Sequence, residues 1–286
     1  MEPPEALRPF ASSVRVGELS LHCYLAGPAD APPLLLVHGL GDEADTWRRV
    51  LPALAERYRV VALDLPGFGR STAPGRAASV GFYARTLAGL MGALGIERAT
   101  AVGHSGGAMI VQRLAIGVPQ LVERLVLVAG CLPVAAARPP GGPIYAFLTP
   151  GLGELLYTSL RRSHEKAYDS LRPYYADLDG LPEEEREFLY RRVWARVWSD
   201  KQRAAFLSML RWSAIDAATR SGWYREQLAR CQVPTRLIWG ERDQIVPLAL
   251  GEAMANLLPD ATLHTIAECG HLPQQERPDE ILALIG

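Results

Sequence analysis

The chain has 286 residues, of which 49% are hydrophobic and 21% charged, and its formal net charge is −1. These proportions are typical of a globular protein and exclude a disordered, collagen-like or coiled-coil chain. A chain of this length buries enough apolar surface to fold without disulfides or metals. Because the charge is close to zero, we expect neither nucleic acid nor an anionic membrane as a partner.

The cysteines and the N-terminal residues bear on the compartment. The four cysteines are Cys23, Cys131, Cys231 and Cys269. They form no CxxC pair and no cluster with zinc spacing, which favours free thiols in a reducing compartment. Residues Met1–Leu7 lack the basic and apolar parts of a signal peptide. Apolar runs such as Pro32–Val37 are far shorter than the roughly 20 residues of a membrane helix. We therefore expect a cytoplasmic protein without a membrane span.

Short apolar runs alternate with helical patterns in residues 1–130 and again in residues 231–286. This alternation predicts βαβ units and a mostly parallel sheet. The predicted strands are a hairpin at Val14–Ala26 that turns at Gly17-Glu18, then Pro33–His38, Arg59–Asp64, Ala99–His104, Arg124–Ala129, Thr235–Trp239 and Thr262–Ile266. The predicted helices are Thr46–Arg57, Ser79–Leu94, Gly106–Gly117, Pro247–Leu257 and Gln274–Ile285.

The alternation stops between Cys131 and Arg230, where no buried strand is indicated. A loop at Pro139–Pro143 opens this region and helical segments follow. Their aromatic residues are Tyr145, Tyr157, Tyr168, Tyr174, Tyr175, Tyr190, Trp194, Trp198, Trp212 and Trp223. We expect residues 131–230 to form a helical lid over a core of residues 1–130 and 231–286. Open α/β sheets bind ligands at the carboxyl ends of their strands, which is where such a lid would lie.

A candidate nucleophile lies between a predicted strand and a predicted helix. Gly103-His104-Ser105-Gly106-Gly107 matches G-x-S-x-G. The serine must turn sharply from strand to helix, and glycines two residues away on either side leave room for that turn. The start of the helix adds N–H groups and a positive dipole end beside the serine. Ser105 is therefore the predicted nucleophile.

The serine needs a base, and six histidines are available: His22, His38, His104, His164, His264 and His271. His22 and His264 lie within strand patterns, and His164 lies in the predicted lid. His38 lies at the end of a strand. His104 is adjacent to Ser105 in the chain, but neighbouring side chains at such a turn point apart. His271 follows the last strand, on a loop at the carboxyl edge of the sheet. That position suits a general base.

The base in turn needs an acid that fixes its tautomer. Glu241 and Asp243 both follow the strand Thr235–Trp239. Glu241 is closer to the strand end, whereas Asp243 can return towards His271, and we favour Asp243. The chain order Ser105, Asp243, His271 is the order of α/β-hydrolases.

The chain resembles the α/β-hydrolase superfamily over nearly its whole length. The blocks that carry the resemblance are His38-Gly39-Leu40-Gly41, Asp64-Leu65-Pro66-Gly67-Phe68-Gly69-Arg70-Ser71, Gly103–Gly107, Gly240–Asp243 and Gly270-His271. The resemblance implies a mostly parallel central sheet flanked by helices, with an inserted helical lid. It also implies an oxyanion hole formed by the backbone N–H groups of Leu40 and Gly106.

The sequence differs from several branches of the α/β-hydrolase superfamily, and these differences reduce the number of activities that it could have. Dehalogenases and epoxide hydrolases of this fold use an aspartate nucleophile, whereas this chain has Ser105. The loop Leu40-Gly41-Asp42 lacks the proline usual in haloperoxidase-like perhydrolases. Carbon–carbon hydrolases of ring-cleavage products share the triad and the lid, but usually have tryptophan where this chain has Leu272. Those enzymes also use a lid arginine, and hydroxynitrile lyases use a lid lysine. The predicted lid contains several arginines and the lysines Lys166 and Lys201, and no pattern in the sequence assigns one of them to either role.

The resulting prediction is a carboxylesterase-like serine hydrolase that needs no metal or organic cofactor. Its substrate would be a small or medium carboxylic ester with an apolar acyl or aromatic part, although lid aromatics also serve packing. Two alternatives stay open: a carbon–carbon hydrolase of ring-cleavage products, and a receptor or signalling protein that retains the triad. No feature of the sequence identifies a protein partner.

Overall fold

The computed structural model describes residues 1–75, 78–134 and 144–286, without the side chains of Ile144 and Tyr145. The predicted loop at Pro139–Pro143 lies outside this part of the chain. In the described part, eight strands form one sheet in the order β1-β2-β4-β3-β5-β6-β7-β8. The strands are β1 Ala11–Val16, β2 Leu19–Ala26, β3 Pro33–Val37, β4 Arg59–Leu63, β5 Ala99–His104, β6 Val122–Val128, β7 Thr235–Gly240 and β8 Ala261–Ile266.

The sheet is parallel from β4 to β8, and β1 and β2 are antiparallel at one edge. The predicted α/β architecture, a mostly parallel central sheet flanked by helices, is therefore confirmed. The inner strand β5 is buried along its whole length, as a strand covered on both faces should be. The edge strand β1 alternates between exposed and half-buried residues because helices cover only one of its faces.

Helices cover both faces of the sheet and its carboxyl edge. The α-helices are α1 Leu51–Leu54, α2 Val80–Ala93, α3 Gly106–Gly117, α4 Ile144–Leu148, α5 Leu152–Ser159, α6 His164–Asp169, α7 Glu183–Trp198, α8 Asp200–Leu228, α9 Leu248–Leu257, α10 Pro273–Glu276 and α11 Pro278–Ile285. Short 3₁₀ helices span Glu5–Phe10, Ala44–Trp47, Pro119–Leu121, Leu160–Arg162 and Arg172–Tyr174. Within the described residues, no helix is both long enough and apolar enough to cross a bilayer.

Two of the predicted helices were wrong in extent, and a proline divides each of them. The segment predicted as Thr46–Arg57 forms a 3₁₀ helix and the separate short helix α1, which begins beside Pro52. The segment predicted as Gln274–Ile285 is divided in the same way: α10 ends before Pro278, and α11 begins at that proline. Proline has no N–H for the carbonyl four residues earlier, and its ring clashes with that carbonyl.

The core consists of two apolar layers, one on each face of the sheet. Leu35 and Val37 of β3 point into the layer that includes α2 and α3. Leu34 and Leu36 point into the opposite layer, which contains Trp47 and α11. Alternate residues of one strand thus serve opposite layers, as the two-residue period of a strand requires.

Helices α4–α8 lie between β6 and β7 in the chain and have small apolar clusters of their own. One cluster joins Tyr157 and Ala167 to α7. Another joins Tyr175, Leu178 and Leu189 to Leu272, which follows β8. The second cluster packs these helices against the carboxyl edge of the sheet.

The close packing of α3 on β3 gives a testable stability difference. A Cβ on Gly107 would lie 2.3 Å from the carbonyl oxygen of Val37, whereas a Cβ on Gly92 in α2 would meet nothing within 4 Å. We expect Gly107→Ala to destabilise the fold by about 3 kcal/mol through overpacking. The matched change Gly92→Ala should stabilise it by about 0.5–1 kcal/mol, because alanine favours helices. Urea unfolding monitored by circular dichroism measures both; equal midpoints for the two variants would contradict this packing.

Candidate active site

Ser105 occupies the turn between the end of β5 and the start of α3. Its backbone has φ 51° and ψ −115°, a conformation that a residue other than glycine adopts only under constraint. Its N–H donates to the carbonyl oxygen of Val128 at 2.8 Å, which fastens the turn to β6. The residue is partly exposed, so its hydroxyl is within reach of a small molecule.

Glycines allow the main chain to crowd around this turn. A Cβ on Gly103 would lie 2.5 Å from the carbonyl group of Gly107, and a Cβ on Gly130 would lie 2.4 Å from the carbonyl oxygen of Ser105. Since no side chain fits at these distances, strand, turn and helix approach each other only with glycine there. This crowding is the physical reason for the G-x-S-x-G spacing.

The structure brings Ser105, His271 and Asp243 into one hydrogen-bonded chain. His271 Nε2 is 2.9 Å from Ser105 Oγ. His271 Nδ1 is 2.8 Å from Asp243 Oδ2. Because a carboxylate only accepts, Nδ1 carries the proton and Nε2 can accept from the serine hydroxyl. These are the three residues that the sequence predicted for a catalytic triad, and the structure places their side chains within hydrogen-bond distance of one another.

Asp243 is fixed through both of its carboxylate oxygens. While Oδ2 accepts from His271, Oδ1 accepts from the backbone N–H groups of Ile245 at 2.8 Å and Val246 at 2.9 Å. The side chain is fully buried. A buried carboxylate with all its bonds made inside the protein holds the imidazole ring in one orientation.

The two N–H groups predicted for an oxyanion hole lie beside Ser105. Gly106 is the first residue of α3, so its N–H has no partner within the helix. A Cβ on Gly106 would lie 3.2 Å from the backbone nitrogen of Leu40. The loop after β3 turns at Gly41, where φ is +79°. Leu40 and Gly106 are therefore neighbours on the edge of the sheet that carries the serine.

A buried ion-pair network fixes the loop that carries Leu40. Arg196 of α7 pairs with Asp42 and, at 2.8 Å, with Glu43. Arg192, one turn earlier, pairs with Glu43 at 3.3 Å and with Asp45 at 2.6 Å. Burial raises the pKa of Glu43. Burial also opposes ionisation of Asp42, but the charge of Arg196 holds the pKa of Asp42 below its usual range.

The network continues into the loop after β4. Arg70 pairs with Asp45 at 2.8 Å and with Asp64 at 3.3 Å, and Asp64 also accepts from the backbone N–H of Ala44 at 2.8 Å. Arg70 and Arg192 both donate to the carbonyl oxygen of Glu2. The network therefore ties together the N-terminal residues, the loops after β3 and β4, and α7.

Two histidines that were considered as alternative bases have other bonds. His38 is buried; its Nδ1 lies 2.8 Å from the carbonyl oxygen of Gly39, and its Nε2 accepts from the N–H of Leu65 at 2.9 Å. His104 is also buried, with Nε2 2.8 Å from the carbonyl oxygen of His271. Burial lowers the pKa of His104 to about 3. Neither imidazole bonds to Ser105.

Two further candidates, His164 and Lys201, make contacts of a structural kind. His164 is half-buried and stacks on Tyr190, with ring centroids 3.6 Å apart. Lys201 of α8 donates to the carbonyl oxygens of Gly69 at 2.9 Å and Ser71 at 2.7 Å. Within the described residues, no group of His, Cys, Asp and Glu side chains is placed to hold a metal ion.

Three residues that lie close to the site were not singled out by the sequence: Phe206 and Met209 of α8, and Tyr174. A Cβ on Gly106 would lie 2.7 Å from Met209 Cε, and a Cβ on Gly41 would lie 3.1 Å from the Phe206 ring. Tyr174 places its ring 5.8 Å from that of His271, and its carbonyl oxygen accepts from the His271 N–H at 2.8 Å. The three-residue spacing of Phe206 and Met209 indicates that both lie on the same face of a helix. It does not indicate which part of the protein that face contacts.

The comparisons with known proteins agree on a hydrolase fold. The family model for the alpha/beta hydrolase fold matches residues 32–278. A 2-hydroxy-6-oxononadienedioate/2-hydroxy-6-oxononatrienedioate hydrolase from Pseudomonas sp is 31% identical over 95% of this chain and 93% of its own length. Among solved structures, a 2-hydroxy-6-oxo-6-phenylhexa-2,4-dienoate hydrolase from Rhodococcus sp is 26% identical, with a TM-score of 0.78 over 95% of each chain. A bacterial membrane phospholipase A is 29% identical, with a TM-score of 0.75 over 96% of this chain and 83% of that one.

The eight-stranded sheet and these relatives define the class of the protein as a hydrolase. The chain belongs to the alpha/beta hydrolase fold family.

The buried imidazole of His104 gives a testable pH dependence of stability. An unfolded histidine binds a proton below a pH of about 6.5, whereas burial lowers the pKa of native His104 to about 3. The unfolded chain therefore binds more protons between these values, and the native state loses stability as the pH falls from 6.5 towards 3. We expect His104→Gln to remove this part of the loss, by up to about 1.4 kcal/mol per pH unit. Urea unfolding at pH 7, 6, 5 and 4 measures it; parallel curves for the two proteins would contradict it.

Proposed function

We propose that this hydrolase cleaves uncharged carboxylic esters through an acyl-enzyme on Ser105. The observation that carries the proposal is the hydrogen-bonded chain from Ser105 through His271 to Asp243, with distances of 2.9 and 2.8 Å. A hydroxyl that donates to an imidazole held by a buried carboxylate is the arrangement that nucleophilic serine chemistry needs.

The proposed reaction has two halves. Ser105 Oγ attacks the ester carbonyl carbon while His271 Nε2 takes the hydroxyl proton, and the Asp243 carboxylate stabilises the imidazolium. The tetrahedral intermediate collapses as His271 returns the proton to the leaving alcohol, which departs and leaves the acyl-serine. A water molecule, deprotonated by His271, then attacks the acyl carbon and forms a second tetrahedral intermediate. As that intermediate collapses, the bond to Ser105 Oγ breaks, His271 returns the proton to this oxygen, and the carboxylic acid leaves.

The N–H groups of Leu40 and Gly106 would hold the oxyanion in both halves of the reaction. Their nearness across the Ser105 turn supports this role, and a lost donor at such a site typically costs about 10²–10³ in rate. The ion-pair network supports the role further, because it fixes the loop of Leu40 before substrate arrives. Donors fixed in advance need no reorganisation as the charge develops.

We further propose that residues 131–230 act as a lid over a core of residues 1–130 and 231–286. The contacts of α8 with the Ser105 turn support this division. Phe206 and Met209 place apolar groups over Gly41 and Gly106, so the approach to the serine has an apolar wall. Such a wall favours an acyl or aromatic group over a polar one.

The pairing of the arginines supports an uncharged substrate. Arg70, Arg192 and Arg196 face four carboxylates, those of Asp42, Glu43, Asp45 and Asp64. Arg196 contacts the loop two residues beyond Leu40, but Asp42 and Glu43 already occupy its guanidinium. An anionic substrate would have to displace a buried carboxylate from this arginine, which leaves an uncompensated charge.

A second candidate is the hydrolysis of a carbon–carbon bond, and the relatives favour it. The Pseudomonas and Rhodococcus relatives are named for dienedioate or dienoate substrates. Such substrates carry a carboxylate, so this activity would need a cation at the site. The two candidates therefore differ in the charge of the substrate.

Steady-state kinetics on two substrate types separates the candidates. We expect p-nitrophenyl esters from acetate to decanoate to turn over at about 1 s⁻¹ or faster. The 2-hydroxy-6-oxo-6-phenylhexa-2,4-dienoate should turn over at least about a hundredfold more slowly, because Arg192 and Arg196, the described cations beside the loop of Leu40, already pair with carboxylates. Rapid cleavage of the dienoate with slow cleavage of every ester would establish the second candidate instead.

Variants test the triad in the same assay. Ser105→Ala, His271→Ala and Asp243→Asn should each lower kcat by about 10⁴-fold or more, since the three groups act as a unit. His264→Ala, on β8 and outside the site, is the matched histidine control and should retain wild-type kinetics. Ester turnover that survives in Ser105→Ala would contradict the proposed mechanism.

A further inference from the structure

The side chain of His104 has a contact that the proposed mechanism does not use. It stands at the end of β5, one residue before Ser105, and is only 3% exposed. Its Nε2 lies 2.8 Å from the carbonyl oxygen of His271. A carbonyl oxygen only accepts, so Nε2 carries the ring proton and donates. Nδ1 is then unprotonated, and within the described part of the chain it is buried without a hydrogen-bond partner.

The contact matters because His271 lies on an irregular loop between β8 and α10. No ladder or helix fixes its main chain, which depends on individual bonds. The His271 N–H donates to the carbonyl oxygen of Tyr174 at 2.8 Å, and the N–H of Gly270 donates to the buried carboxylate of Glu276 at 2.9 Å. His104 supplies the bond to the remaining group, the His271 carbonyl.

The position of His104 also suits a residue next to a base that becomes charged. Its ring centroid is 4.9 Å from that of His271, so a second imidazolium there would repel the one formed during turnover. Burial lowers the pKa of His104 and the charge of His271 lowers it further, while the bond to the His271 carbonyl and the charges of Asp42 and Asp243 act in the opposite direction. The net effect keeps His104 uncharged at neutral pH.

We infer that His104 is a positioning residue for the base: by donating from Nε2 to the carbonyl oxygen of His271, it holds the imidazole of His271 between Ser105 and Asp243. This inference rests on the proposed function, because it concerns the same base. His104 does not touch the reacting atoms.

A pair of substitutions separates the hydrogen bond from packing. In His104→Gln the amide nitrogen can replace Nε2 as the donor, whereas His104→Phe fills the space without a donor. We expect His104→Phe to lower kcat on the best p-nitrophenyl ester about tenfold, with KM changed less than about twofold, because one net hydrogen bond is lost. His104→Gln should keep kcat within about threefold of the wild type.

The matched controls are His22→Phe and His22→Gln. His22 is only partly buried, but like His104 it has one ring nitrogen, Nε2, without a hydrogen-bond partner in the described residues. Burial lowers its pKa too, but it lies on β2 against Tyr24. Both control variants should keep wild-type kcat. Equal losses in His104→Phe and His104→Gln, or a similar loss in the His22 variants, would overturn the inference in favour of packing.

Two further readouts keep the inference apart from the choice of substrate. The first is the rate at which an organophosphonate labels Ser105, which should fall about tenfold in His104→Phe and recover in His104→Gln even where no ester is cleaved. The second is the far-downfield proton resonance of the bond between His271 Nδ1 and Asp243, which should weaken only in His104→Phe. An unchanged resonance and labelling rate in His104→Phe would refute the positioning role, whereas slow ester turnover alone would refute only the proposed function.

Discussion

The turn at Ser105 is the constraint on which the rest of the site depends. A positive φ of 51° at a serine costs free energy, of the order of 1–3 kcal/mol. The surrounding structure maintains this conformation. The Ser105 N–H donates to the carbonyl oxygen of Val128, and the main chain packs tightly against Gly103 and Gly130. The strain is local, and the inner strands that resist its release are among the most buried parts of the protein.

The ion-pair network acts on the other half of the site, the loop of Leu40. Buried ion pairs add little net stability, since desolvation offsets their attraction. Their effect here is geometric, because each carboxylate pairs with a guanidinium of α7 or of the loop after β4, which ties the loop of Leu40 to both elements. Two of the three arginines, Arg192 and Arg196, belong to α7. The helical segment between β6 and β7 thus helps to fix the loop that carries Leu40.

The sequence predicted the sheet and the three hydrogen-bonded side chains because both depend on local signals. Glycine spacing marks the Ser105 turn, and Asp243 and His271 directly follow strands whose ends must share one edge. The arginine partners of Asp42 and Glu43, and the approach of Met209 to Gly106, are long-range contacts. They depend on how α7 and α8 pack against the sheet, and the hydrophobic periodicity of a sequence does not contain that information. The divided helices at Pro52 and Pro278 were missed for a different reason, since the apolar spacing continued across each proline.

The bond from the His271 N–H to the carbonyl oxygen of Tyr174 restricts how this molecule can admit a ligand. Residues 174–176 lie directly on Gly270, where a Cβ would be 2.6 Å from the nitrogen of Ala176. Lifting that stretch would strand two buried backbone groups and free the loop of the imidazole. A form opened on that side would therefore lose the hydrogen-bonded chain from Ser105 through His271 to Asp243. Helices α4 and α5 pack on α8 instead, so a displacement of those two helices would leave the bond between His271 and Tyr174 intact.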